Sequence, residues 1–234
     1  MFGIDARYYS HIYYGLITLL SLIVFIQYSA YSQSRLQNDK QQHPIGVFLL
    51  TLVLVLFIGF RPISGWYFVD MGGYDDYYSV IQGDAFLFDW SVYNILFDNY
   101  FSFLASKNVP ISFFFFSIAV VYFGCMAWSC SILFPKDKIA AFMVYLGAFS
   151  TFSYGTNGIK AGAAASLFLM ALAMYSKRKW LGTLFFLLLG VGELRVLRIL
   201  YCLVFHCIGD CLWVNGSCSS ARGSSSRTPT TSPR

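Results

Sequence analysis

The sequence predicts an all-α protein: a polytopic bundle of about six transmembrane helices, with an amphipathic helix on its outer surface. Of its 234 residues, 57% are hydrophobic and only 12% are charged. A soluble domain of this length cannot bury so much apolar side chain. Apolar runs of nearly 20 residues, about the length that crosses a bilayer, also recur along the chain.

Six apolar runs supply the predicted spans, which lie near residues 13–31, 45–60, 110–134, 139–155, 159–176 and 180–192. The second, fourth and fifth are short, and the sixth is incomplete. The first run resembles a signal peptide in position. Its long apolar stretch, its single preceding Arg7 and the unconvincing cleavage sequence "YSAYSQS" favour a retained span.

Positive charge predicts the orientation of the bundle. Seven lysines and arginines fall in the connections 32–44, 135–138 and 176–180. The other side, made of the N-terminus, the loop 61–109 and the turn at Lys160, has four cations and seven aspartates. The positive-inside rule therefore places the N-terminus and the loop outside the cytoplasm, which in a bacterium is the periplasm.

The loop 61–109 is rich in both charge and aromatic rings, with six aspartates, two cations and fourteen aromatic residues. Polar and apolar residues alternate at helical spacing through 84–104, which predicts an amphipathic helix on the outer membrane surface. This helix either packs against the bundle or lines a substrate site. The aromatic residues suit an interfacial belt or platforms on which sugars stack. The polar face contains Asp84, Ser91, Asn94, Asp98 and Ser102, and the apolar face Phe86, Trp90, Tyr93, Phe97, Phe101 and Leu104.

The segment "FRPISGWYFVDMGGYDDYY" (60–78) begins where the second predicted span ends. Arg61 is either an anchor that reaches the interface or a ligand for phosphate or carboxylate, which its planar fork suits. We expect Gly65, Asp70 and the pair Gly72 and Gly73 to form a tight polar loop at the same depth. Asp70 would pair with Arg61 or take up a proton.

The segment "YGTNGIKAGAAASLFLMALA" (154–173) opens the fifth predicted span. Gly158, Gly162 and Ser166 are spaced by four, which predicts a face where two helices approach closely. Lys160 lies off that face, on the side predicted for Arg61, where it either reaches the interface or contributes to an anion site.

The sequence predicts no metal site, cofactor or nucleic-acid partner. Its three histidines, at positions 11, 43 and 206, are scattered, and it contains no glycine-rich phosphate loop.

Residues 193–234 form an atypical tail of different composition. All seven lysines precede position 180, whereas five of nine arginines and four of six cysteines follow 192. A natural flexible tail and a shifted reading frame both account for this change, and the change in several residue types at once favours the shifted frame. The four cysteines and His206 match no common metal-site spacing.

The two quoted segments resemble the signatures of the EpsG family, bacterial membrane proteins related to Wzy-type exopolysaccharide and O-antigen polymerases. In the first, an arginine after an early span is followed by glycine, aspartate and tyrosine, here Arg61, Gly65, Asp70 and Tyr74. In the second, asparagine and a basic residue open a later span, here Asn157 and Lys160. The resemblance covers about residues 1–192, and the family is longer, so the chain resembles its N-terminal part.

The resemblance implies a multi-pass protein of the bacterial inner membrane that joins oligosaccharide units linked to a lipid diphosphate, acting as a glycosyltransferase-like polymerase. It implies catalytic roles for Arg61, Asp70 and Lys160, and substrate binding by Gly65, Tyr74 and Asn157. Other polysaccharide-assembly proteins are expected partners.

Two departures from the family leave alternatives open. The family usually has arginine where this chain has Lys160, and a histidine near the start of a following span that is missing here. These departures favour an inactive truncated remnant as one competing interpretation. A flippase for lipid-linked sugars is another, although the apolar spans contain almost no interior charge and show no inverted repeat.

Overall fold

The computed structural model describes residues 4–31 and 45–193, and those residues form helices and connecting turns with no strand. The predictions for residues 194–234 lie outside the described residues. A short 3₁₀ turn, Ala6–Tyr8, precedes the first helix. The α-helices are α1 (Tyr9–Tyr31), α2 (Ile45–Gly59), α3 (Val69–Ile81), α4 (Ile95–Ser106), α5 (Ile111–Leu133), α6 (Lys138–Gly147), α7 (Phe149–Thr156), α8 (Ile159–Ser176) and α9 (Trp180–Glu193).

The predicted all-helical class is confirmed for the described residues, and three or four segments could cross a membrane, but the predicted count of about six spans is not confirmed. Among the described residues, three segments are long and apolar enough to cross a membrane: Ala6–Gln27, Ile111–Leu133 and Ile159–Ser176. The bent pair α6 and α7 makes a fourth if it is counted as one span. The remaining apolar helices, Ile45–Gly59 and Trp180–Gly190, are shorter than a full crossing.

The predicted span 139–155 is not one continuous helix. The chain bends by 73° between α6 and α7, at Ala148. The carbonyls freed at the bend find donors: the Tyr13 hydroxyl bonds to Leu146 O at 2.8 Å, and Thr151 Oγ1 bonds to Tyr145 O at 2.6 Å. A broken helix inside a bundle is stable only when such groups are paired.

The tight polar loop predicted for residues 65–73 is also wrong, because Asp70, Gly72 and Gly73 lie in helix α3. Gly65 and Gly72 instead allow two backbone segments to approach closely. A Cβ on Gly72 would lie 2.7 Å from the Cα of Gly65, so the turn before α3 packs directly on the backbone of that helix.

The amphipathic helix predicted for 84–104 is correct only in its second half. Helix α4 begins at Ile95, and residues 84–94 are not helical. Asn99 accounts for the difference, because its side-chain amide accepts from the Asp89 N–H and donates to the Asp89 carbonyl, each at 2.8 Å. This pairing replaces the backbone bonds that a helix would provide. The buried face of α4 contains the predicted Phe97, Phe101 and Leu104.

Helices α5 and α8 pack together at the centre, and the small residues of α8 are largely buried there. The close approach predicted from the glycine spacing occurs at Gly162, where a Cβ would lie 2.7 Å from the carbonyl oxygen of Tyr154 in α7. Helices α7 and α8 therefore meet tightly. Their joined ends, 156–160, lie beside the end of α2.

Candidate functional site

Arg61 joins the carboxyl ends of two helices. Its Nη1 donates to Ile58 O near the end of α2, and its Nη2 donates to Thr156 O at the end of α7, each at 2.8 Å. Its Nε donates to the sulfur of Met71 in α3. Helix carboxyl ends have unpaired carbonyls and partial negative charge, so a guanidinium stabilises both ends at once.

The Arg61 side chain is buried, with 3% of its surface exposed. Its guanidinium carbon lies 5.6 Å from the Phe68 ring centroid and 5.3 Å from that of Phe115. Burial lowers the pKa of Arg61 to about 9, which still leaves a cation at neutral pH. A snorkelling anchor keeps its charged head in water, and this guanidinium does not.

Lys160 lies in the first turn of α8 and pairs with Asp98 in the first turn of α4. The distance from Lys160 Nζ to Asp98 Oδ1 is 2.8 Å, and the two side chains are 26% and 29% exposed. The ammonium also lies 4.7 Å from the centroid of the Phe97 ring and 5.5 Å from that of Tyr74. Lys160 is thus partly exposed at the protein surface, with a carboxylate and two aromatic faces around it.

Tyr74, on α3, separates the two cations. Its ring is within 6.4 Å of Phe115, which faces Arg61, and within 5.8 Å of Phe97, which faces Lys160. Burial raises the pKa of the Tyr74 hydroxyl, and the carboxylates of Asp70 and Asp98 raise it further. The structure therefore brings four of the predicted site residues into one region: Arg61, Asp70, Tyr74 and Lys160.

The remaining predicted site residues have different surroundings. Gly65 is exposed in the turn before α3, against Gly72. Asp70 is exposed in the first turn of α3, and the hydrogen bonds of Arg61 go to backbone carbonyls and sulfur rather than to this carboxylate. Asn157 follows Thr156 between α7 and α8, and its Oδ1 is buried without a hydrogen-bond partner among the described residues.

Sequence reasoning missed the role of Asp98, which it assigned only to a polar helix face. Asp98 and Lys160 are 62 residues apart, so no local spacing reveals the pair. Within the described residues, no group of three or more histidine, cysteine, aspartate or glutamate side chains is arranged to hold a metal ion.

Comparison with known proteins gives no relative: no family model matches the chain, and neither a curated protein nor a solved structure is detectably similar to it.

Proposed function

We propose that this chain is a polymerase-like membrane protein that extends an extracellular polysaccharide from oligosaccharide units linked to a lipid diphosphate. One observation carries the proposal. The two segments that resemble the EpsG signatures are far apart in sequence, yet the bond from Arg61 to Thr156 O, across 95 residues, brings them together. Their cations, Arg61 and Lys160, then lie at the same end of the bundle.

In the proposed reaction a hydroxyl of the acceptor sugar attacks the anomeric carbon of the donor sugar. The bond from that carbon to the lipid diphosphate breaks, and negative charge develops on the diphosphate. Fixed positive charge in a site that excludes water stabilises such a leaving group. Among the described residues, Arg61 has no carboxylate partner, so its charge is balanced only by partial charges of helix carbonyls.

The loop 61–109, which surrounds the site, contains side chains that suit carbohydrate binding. It holds exposed aromatic side chains such as Trp66, Trp90 and Tyr77, whose faces suit stacking against sugar rings. In the proposed orientation this loop faces the periplasm of a bacterial inner-membrane protein, where lipid-linked units are joined. Other polysaccharide-assembly proteins are proposed to deliver those units.

Reconstitution of the full chain in vesicles with lipid-diphosphate-linked oligosaccharide tests the proposal. We expect longer glycans on a gel, and we expect Lys160→Met to reduce their formation at least tenfold. Lys107→Met, at an exposed cation of the same loop, is the control and should keep full activity. Relocation of unchanged lipid across the bilayer would instead identify a flippase, and the absence of both outcomes would identify an inactive chain.

A further inference from the structure

The Asp98–Lys160 ion pair is partly exposed, and Asp98 is held in place by a second hydrogen bond. Asp98 uses one carboxylate oxygen for Lys160, at 2.8 Å, and the other for the backbone N–H of Asn94, at 3.2 Å. Both side chains remain more than a quarter exposed. A ligand from outside therefore reaches an ammonium and a carboxylate at the same point.

The net charge of the Asp98–Lys160 pair disfavours the binding of an anion. Lys160 contributes one positive charge and Asp98 cancels it, so a phosphate that approaches the ammonium also approaches a carboxylate. The loop 61–109 adds to the repulsion, because its six aspartates outnumber its two cations. A hydroxyl group has no such conflict, since it donates to the carboxylate and accepts from the ammonium.

Two further acceptors lie on the segments that carry the pair. Asn94 Oδ1 and Asn157 Oδ1 are buried and have no hydrogen-bond partner among the described residues. Asn94 is only 7% exposed, and because its own N–H bonds to Asp98, its amide oxygen lies within about 7 Å of that carboxylate. Asn157 precedes Lys160 by three residues. An unpaired buried acceptor costs about 1 to 3 kcal/mol. Neither oxygen is exposed, so a ligand that displaces the covering side chains and brings donors would recover this cost.

Aromatic faces complete the arrangement. Phe97 and Tyr74 lie against the ammonium of Lys160. Tyr77 stacks on Phe101, and 58% of the surface of the Tyr77 residue is exposed. Several hydroxyl donors next to an apolar face are the chemistry of a sugar ring.

We propose that the Asp98–Lys160 pair binds a hydroxyl of the acceptor sugar, and that Asn94 and Asn157 accept hydrogen bonds from neighbouring hydroxyls. The inference rests on the proposed function and assigns the acceptor half of its site. As the hydroxyl oxygen bonds to the anomeric carbon, its proton passes to the Asp98 carboxylate. The bond to the diphosphate breaks, and its electron pair leaves with the diphosphate.

Ligand binding to the full chain in nanodiscs tests the proposal, with methyl glycosides of glucose, galactose and N-acetylglucosamine as one probe set and inorganic pyrophosphate as the other. Saturation-transfer NMR should detect at least one glycoside on the unaltered chain. Asp98→Asn and Lys160→Met should each weaken its binding about tenfold or more, as loss of a hydrogen bond to a charged group implies.

Control variants separate binding from folding. Asp76→Asn changes an exposed aspartate of α3 and should leave glycoside binding unchanged. Asp98→Asn keeps an oxygen that accepts from the Asn94 N–H, so the start of α4 should remain intact by circular dichroism. The same variant cannot take up the proton, and in the vesicle assay it should lose polymer formation at least a hundredfold.

The outcomes distinguish the inference from the function on which it rests. If the unaltered chain binds glycosides through the pair but forms no polymer, the result supports the hydroxyl-binding site and contradicts the polymerase function. If polymer forms equally well with Asp98→Asn, the result supports the polymerase function and contradicts the proposed role of the Asp98–Lys160 pair. The inference also falls if no glycoside binds, or if pyrophosphate binds through Lys160 and binds more tightly to Asp98→Asn.

Discussion

At the residue scale, Arg61 shows how a motif residue acquires a role that its sequence position does not reveal. The residue follows a helix, which suggested an anchor or an anion ligand. The structure buries it and directs two of its nitrogens to carbonyls at the ends of α2 and α7. The planar fork is needed for this geometry, because the two acceptors belong to different helices.

Arg61→Lys should therefore destabilise the protein although it keeps the charge. A lysine ammonium is a compact group and cannot hold the Ile58 and Thr156 carbonyls together with Met71, so we expect a loss of about 1 to 3 kcal/mol. Thermal unfolding of the purified protein in detergent measures the loss. Arg7→Lys, at an exposed arginine, should have no measurable effect. Equal stability of both variants would show that the fork does not hold the helices.

The sequence predicts only part of the candidate site. Arg61 and Lys160 were expected at one end, because the loops that contain them alternate with basic loops. Asp98 was not paired with Lys160, since the contact depends on how α4 lies in the bundle rather than on the residues around either side chain. The unpaired oxygens of Asn94 and Asn157 likewise depend on burial, which no pattern of residue types specifies.

At the element scale, the helices that the sequence predicts best are those with strong end signals. Helix α5 starts after Pro110 and α8 ends before the basic residues 177–179, and both match the predicted spans closely. The bend between α6 and α7 was missed because the apolar run is continuous there. The Leu146 carbonyl beside the bend is paired with the Tyr13 hydroxyl, which comes from a helix more than a hundred residues earlier.

The hydrogen bond from Tyr13 to Leu146 at the bend predicts that removal of the Tyr13 hydroxyl destabilises the protein. Tyr13→Phe leaves the carbonyl of Leu146 buried without its donor, so the free energy of unfolding should fall by about 1 to 3 kcal/mol. Tyr77→Phe, at an exposed tyrosine of α3, is the matched control and should unfold at the unchanged temperature. If the two variants behave alike, the bend does not depend on Tyr13.

Helix α3 offers a paired test with two adjacent glycines. Gly72→Ala places a methyl group 2.7 Å from the Cα of Gly65, so the turn or the helix must move and stability should drop. Gly73→Ala meets nothing within 4 Å and should be neutral or stabilise the helix by about 0.5 to 1 kcal/mol. Thermal unfolding of both variants gives the comparison, and a harmless Gly72→Ala would show that the two backbones are not in contact.

At the scale of the whole molecule, the bundle has two chemically different ends. One contains Arg61, Lys160 and the acidic loop, and the other contains the basic turn 177–179 at the far end of α8. Helix α8 has 18 residues and separates these ends by about 27 Å. This separation is close to the thickness of a bilayer core, so the two ends should face different compartments.

Cysteine labelling in intact cells tests this orientation after the native cysteines have been replaced. Ser79→Cys, exposed on α3, should react with a membrane-impermeant thiol reagent, and Ser176→Cys, exposed at the end of α8, should react only after the cells are opened. Labelling of Ser176→Cys alone in intact cells would reverse the orientation.

The bend between α6 and α7 also has a consequence for biogenesis. Helices of 10 and 8 residues, about 15 and 12 Å long, are too short to cross the membrane separately, and the Leu146 carbonyl in the last turn of α6 accepts a hydrogen bond from Tyr13. Synthesis begins at the N-terminus, so α1 enters the bilayer well before this pair is made. The hydrogen-bond donor for the Leu146 carbonyl is thus already in the bilayer when the broken segment inserts, so the order of the helices along the chain also sets the order in which they assemble.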